Sequence, residues 1–273
     1  MPGYRLSSRY ERNIHFVNSE NDELGGAWQA GSLTWAEMTQ RMEILFELPT
    51  TNFALFPCLE DGDPNDPLSH HGPPIKLQKP NIIKPGFYVL LSPDGEPVDI
   101  PVNPEMPLPR ALSRPLSSPN DPLSLKLRNR WVAEGWKQQI TDDDIGMSDT
   151  GINSIQSGIL LDSTTHQFFN IYAISINPDD DHKVVSFANE PQYEGLTMFH
   201  RPDIPDKYQP CNALLRHHFR MAVLLSMKGR IGYPVWDEDI QEGCDQMAEI
   251  SESDQGKLRF ETVLAGKLNQ FIA

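Results

Sequence analysis

The eight histidines are the residues with the most obvious chemistry, and they differ sharply in setting. His166 lies in TTHQFF, on a short predicted helix, where an imidazole with a reference pKa of about 6.5 suits proton transfer near neutrality. It is the first candidate catalytic residue, and a hydrogen-bonded structural histidine is the alternative. His218 is the second; it falls on the apolar face of a longer helix, where burial with a satisfied ring is the competing reading. His217 lies one step off that face and reads as solvated or at a rim. His70 and His71 sit in a Pro/Gly/Asp loop and read as an exposed tip. Trp131 and Trp136, together with Phe169, are the candidate substrate-binding residues, able to form the apolar wall of a small-molecule cleft; ordinary core packing is the alternative. Asp142, Asp143 and Asp144 are consecutive, so their side chains do not converge on one cation, and a solvated loop is expected. Cys58, Cys211 and Cys244 are odd in number and widely spaced, which predicts reduced thiols rather than a disulfide framework or a paired metal site. Neither a metal nor a cofactor is expected.

The elements that must position these groups come from periodicity. Residues 13–17 are β-branched and aromatic, residues 23–26 are turn chemistry, and 27–33 is the expected return strand. Thr34 with Glu37 makes a capping box for a helix carrying Trp35, Met38, Met42, Leu45 and Phe46 on one face. Strands at 52–56 and 86–91 follow, on either side of a Pro-rich acidic insertion. Hairpin, helix and two further strands is the order of a β-grasp module, expected over 1–100. Seven prolines between 101 and 122 mark a linker, since each lacks a backbone donor and biases its predecessor away from helix. Beyond it, 123–273 reads as a second domain. The pattern predicts a strand at 158–161, a helix at 164–169 capped by Asp162 or Ser163, and strands at 172–176 and 183–187. Helices at 212–227 and 254–271 complete it, the last capped by Ser251 or Ser253. The expected class is α+β.

Composition narrows the partners. With 273 residues, 38% hydrophobic and 22% charged, the chain is of ordinary globular make-up. Twenty-three Lys+Arg against 38 Asp+Glu leave a formal charge of −15. Such a surface opposes the counterion-release affinity on which nucleic-acid binding draws. The densest basic cluster, Lys126, Arg128 and Arg130, runs into Glu134 and the acidic triplet, so composition counts against nucleic acid as a partner. No apolar run reaches the roughly 18 residues of a membrane span, and the start MPGYRLSSRYERN lacks a secretory signal. An intracellular, cytoplasmic protein without membrane contact is expected.

Residues 151–170, GINSIQSGILLDSTTHQFFN, followed by ISINPDD at 174–180, resemble the second half of the HNH motif in a large fungal family. That pattern is approximately INSVQNGLLLxxxxHxLFD, then a strand ending SINPDD. The similarity continues through LLRHHFRMAVL at 214–224 and through RNIHFV at 12–17 with LGG at 24–26. The resemblance implies a ββα-metal scaffold, in which a first-strand histidine deprotonates water, an asparagine positions it, and a helix histidine holds a divalent ion. Here no histidine occurs between His71 and His166. Glu134, Gly135 and Trp136 resemble what remains after the family's first-strand motif, which implies a deletion of that strand. The family's Asn before Gly is Ser157 here, and its closing Asp is Asn170. Only His166 of the catalytic set is left.

The resemblance therefore implies a degenerate HNH domain with C-terminal helices and without nuclease activity. On this reading the vacated half-site is a cleft for a small organic molecule, covered by 131–140. Its chemistry would be a cofactor-free cyclisation or isomerisation in fungal secondary metabolism. A homo-oligomer is compatible, since a second subunit would also cover the vacated face. Two alternatives stay open: a non-catalytic protein-interaction module, and a residual metal-dependent nuclease.

Overall fold

Residue Asn18 starts the first reversal of the chain, its side-chain oxygen accepting from the amides of Glu20 and Asp22, with Asn21 left-handed at φ 65°. This computed structural model describes residues 12–46, 53–59, 71–76, 81–105, 131–142, 150–188, 190–201 and 203–228. Because the turn sits at Asn18–Asp22, the return strand comes earlier than expected: β1 is Ile14–Val17 and β2 is Glu23–Ala27. Residues 23–26 are thus strand rather than turn. Their glycines answer a packing demand, since a Cβ on Gly25 would lie 2.6 Å from the Met227 carbonyl oxygen and one on Gly26 2.3 Å from that of Ile14.

Helix α1, Trp35–Leu45, begins at the expected capping box: the Thr34 hydroxyl accepts from the Glu37 amide while the Glu37 carboxylate accepts from the Thr34 amide. Ahead of it, the buried Gln29 amide donates to the carbonyls of Leu33 and Ile83 and accepts from the amides of Gly31 and Leu33, locking the approach loop. Strands β3 (Ala54–Pro57) and β4 (Gly86–Leu91) complete a sheet of order β2-β1-β4-β3, with β1 and β4 parallel and the outer pairs antiparallel. Trp35 meets Tyr88 edge-on at 5.2 Å, and Phe46 meets Phe16 at 6.4 Å, so the helix closes one face of the sheet. The start of the proline-rich stretch is tied down: Val102 bridges Phe46, and the Asn103 side chain donates to the Ile44 carbonyl. The remainder of the expected linker, 106–122, lies outside the described residues, as do His70, Cys244 and the helix expected at 254–271.

In the later part of the chain, Asp162 caps helix α2, Ser163–Asn170. Hydrogen bonds from the Thr165 hydroxyl and from the amides of Thr164 and Thr165 hold its carboxyl below the usual carboxylate range. Strands β5 (Ile174–Asn177) and β6 (Lys183–Ser186) form an antiparallel hairpin. Its turn runs two residues beyond NPDD, through Asp181 and His182, which both take positive φ. Helix α3 spans Asn212–Met227, as its periodicity predicts. The strand expected at 158–161 is absent. The alternation is real, with Ile159 and Leu161 packed on a core of Phe169, Ile174, Ile176, Tyr193 and Leu215 while Leu160 is fully exposed. What the segment lacks, among the described residues, is a partner strand to turn that alternation into a ladder.

The chain is mixed α+β. It falls into two units that are not sequential: Met1–Leu108 with Phe187–Pro191 and Val223–Ala273, and Pro109–Ser186 with Gln192–Ala222. Among the described residues no helix is long and apolar enough to cross a membrane.

Candidate functional site

Four of the five residues singled out in the sequence line one cavity of about 310 Å³: His166, His218, Trp131 and Phe169. Trp136, the fifth, is not among its lining residues. Left-handed Gly135 (φ 74°) turns the chain just before it, its indole N–H donates to the Glu134 carboxylate, and its ring packs on His217 at 4.7 Å and on Trp131 at 6.3 Å. It therefore packs on Trp131 without lining the cavity.

The cavity is built from α2, the start of α3 and the segments 131–142 and 151–161. The last two are held together by Gln156, which sequence reasoning passed over. Its buried side-chain oxygen accepts from the amides of Thr141 and Asp142, and its amide donates to the Thr141 hydroxyl and the Asp206 carbonyl. The Ser154 hydroxyl adds a bond to the Asp142 carboxylate. Asp142 is thus an anchoring group, while Asp143 and Asp144 lie outside the described residues. Trp131 is oriented by its N–H, which donates to the Thr150 carbonyl at 2.9 Å.

His218 is almost wholly buried, at 1% exposure. Its Nε2 is 2.9 Å from the Phe169 carbonyl oxygen, which can only accept, so Nε2 carries a proton. In the neutral ring Nδ1 then accepts from the Ser175 hydroxyl at 2.7 Å. The ring stacks on Phe169 with centroids 3.6 Å apart and planes within 2°. Both nitrogens are engaged, so proton transfer by His218 first requires breaking one of these bonds. Ser175 carried no signal in the sequence that could have linked it to His218.

His166 is exposed on α2 and lines the cavity. Its two ring nitrogens each lie 3.4 Å from the Asn170 side-chain nitrogen, one helical turn on, beyond the normal hydrogen-bond range. A ligand can displace such a contact at little cost. The i, i+4 spacing was the signal that could have paired these residues. Cys211, at the start of α3, also lines the cavity, with its thiol 3.5 Å from the Gln139 carbonyl oxygen. Arg216 clamps Asp179 of the hairpin turn through both carboxylate oxygens, which holds that carboxyl below its usual range. Among the described residues no group of three or more His, Cys, Asp or Glu side chains converges to hold a metal ion.

The chemistry available is therefore an accessible imidazole in a cavity of mixed lining, aromatic at Trp131 and Phe169 and polar at Ser157 and Asn170. Comparison with known proteins adds no neighbour. No family model, no curated protein and no solved structure matches the chain.

Proposed function

We propose that this chain is a repurposed HNH-like protein that binds a small organic molecule in the cavity between Trp131 and His166. His166 serves there as the proton-transfer group of a cofactor-free isomerisation or cyclisation. The observation that carries the reading is the meeting of one accessible imidazole with an aromatic wall in a cavity at the lower end of the range of small-ligand sites. In such a reaction the imidazole takes a proton from one position of the ligand and returns it to another, so no net oxidant or reductant is needed. The resemblance at 151–180 supports the degenerate HNH scaffold, and the missing nuclease residues, the net charge of −15 and the retained histidine and aromatic residues favour small-molecule chemistry, as in fungal secondary metabolism. The sheet order β2-β1-β4-β3, with α1 between β2 and β3, supports the β-grasp reading of the earlier part of the chain.

Ligand-observed saturation-transfer NMR against a mixed fragment library tests the reading. Hits are expected with the wild type and are expected to weaken by about tenfold in Trp131→Ala, which removes the largest aromatic wall. In parallel, plasmid DNA with Mg²⁺ or Mn²⁺ is expected to stay uncut. Fragment binding indifferent to both Trp131→Ala and His166→Ala, or metal-dependent cutting lost in His166→Ala, would refute the proposal. A protein-interaction role is the second reading, favoured by Leu160 at 100% and Phe199 at 84% exposure. It predicts no fragment hits at the cavity.

A further inference from the structure

His182 ends the turn between β5 and β6 and is buried, with its backbone left-handed at φ 55°. Its Nε2 lies 2.9 Å from the side-chain oxygen of Asn212, the first residue of α3. That oxygen accepts, so Nε2 carries a proton and Nδ1 is where a second proton goes. The ring of His200 stacks on it, with centroids 4.5 Å apart and planes within 13°. His200 ends a stretch, 196–200, that runs antiparallel beside β6. Two backbone hydrogen bonds of 2.8 Å tie that stretch to the hairpin, from the Val184 amide to the Leu196 carbonyl and from the Met198 amide to the His182 carbonyl, and Thr197 bridges Lys183. From this stretch Met198 packs on the core that includes Phe169 and Leu215, both of which line the cavity.

We propose that His182 and His200 form an acid-opened clasp: with at most one of them charged they stack and hold 196–200 on the hairpin, and with both charged they repel and release it. The clasp stands whether or not the cavity takes a ligand. One imidazolium over a neutral imidazole is attractive, as a cation over a π face. Two unit charges 4.5 Å apart repel, by enough to cut the closed population roughly 5- to 500-fold for an effective dielectric between about 80 and 20. The charges around the pair favour the first proton without cancelling the second. Asp179, in the turn, is near enough for its carboxylate to feel a charge on His182, but that carboxylate is already clamped by Arg216 of α3. Arg201, next to His200, is paired with Asp203. Asp180, Asp181 and Lys183 flank His182 in the chain and are all at least partly in solvent, where screening limits them. The left-handed backbone at Asp181 and His182 adds a bias, because non-glycine residues keep that conformation only while their surroundings hold it. Release therefore also withdraws Met198 from the core behind the cavity wall.

The test is amide hydrogen exchange of the whole chain at pH 7.5 and 5.0, above and below the ordinary imidazole range, corrected for the intrinsic rate at each pH. The Val184 and Met198 amides report the clasp, and Val89, paired with Phe56 in the four-stranded sheet, reports opening elsewhere. Between the two pH values the clasp amides are expected to lose at least about tenfold in protection while Val89 keeps its own. His200→Phe retains a stacking ring without the charge and is expected to keep the clasp closed at both pH values. His200→Ala removes the ring and is expected to leave both clasp amides weakly protected at pH 7.5 already, with no further loss on acidification. Clasp amides equally protected at both pH values in the wild type would overturn the proposal. So would a loss that persists in His200→Phe, or one that Val89 shares.

Discussion

Arg12→Ala is expected to lower the unfolding free energy by about 3 kcal/mol, because it takes the donor from two helix-end carbonyls and leaves the half-buried Glu23 carboxylate with His15 alone. Arg12 is buried in the unit that includes the end of α3. Its Nε donates to the Ser226 carbonyl and one terminal nitrogen to the Lys228 carbonyl at 2.7 Å, where the helix dipole favours a cation. The other terminal nitrogen reaches the Glu23 carboxylate at 3.3 Å, and that carboxylate also meets His15 Nδ1 at 3.2 Å, with the His15 ring stacked on Phe87. Chemical denaturation of the variant should show the loss in midpoint without a change in slope. The same cluster sets a pH dependence. Burial pushes the Glu23 carboxyl up, but hydrogen bonds and charge from His15 and Arg12 outweigh it and leave the group below its ordinary value. A depressed folded-state value means stability that is present above the unfolded carboxylate range, near pH 4.3, and lost as pH falls below it. In Glu23→Gln that acid-side loss is expected to shrink. An Arg12→Ala variant as stable as the wild type would show that the cluster contributes nothing.

His218→Phe is expected to cost about 2 kcal/mol, although it keeps the stacked ring. The substitution strands the wholly buried Ser175 hydroxyl, an unsatisfied polar group worth roughly 1–3 kcal/mol, and takes the ring donor from the Phe169 carbonyl, which still accepts from the Tyr172 amide. Adding Ser175→Ala should restore about 1 kcal/mol, since the stranded hydroxyl is then removed. The double variant separates a structural histidine from a chemical one. If His218 instead acts on the ligand, His218→Phe will keep its melting temperature and lose binding.

The parts of the fold that were legible in the sequence are those whose causes are local. Thr34 and Glu37 announce α1 because a capping box needs only four consecutive residues, and 212–227 announces α3 because its apolar face repeats at helical spacing. Glu23–Ala27 was hidden because Gly25 and Gly26 look like a turn, whereas the demand they meet comes from Met227, two hundred residues on, and from Ile14 across the hairpin. The alternation at 158–161 was read correctly as one face in and one face out. Strand status depends on a neighbour, and none is present among the described residues. The candidate site divides in the same way. His166 and Asn170 are one helical turn apart and were within reach of sequence spacing. The partners that commit His218, namely Ser175 and the Phe169 carbonyl, lie more than forty positions away. Trp131 and Trp136 looked equivalent until Gly135 turned the chain between them.

The most direct measurement is a crystal structure of the chain after soaking with a small neutral aromatic such as 2-naphthol. The account predicts density for the ring system against Trp131 and Phe169, with its hydroxyl within hydrogen-bond distance of a His166 nitrogen and Asn170 displaced from that nitrogen. A soaked crystal with the cavity unchanged and the compound seated elsewhere, or with its hydroxyl turned away from His166, would contradict it.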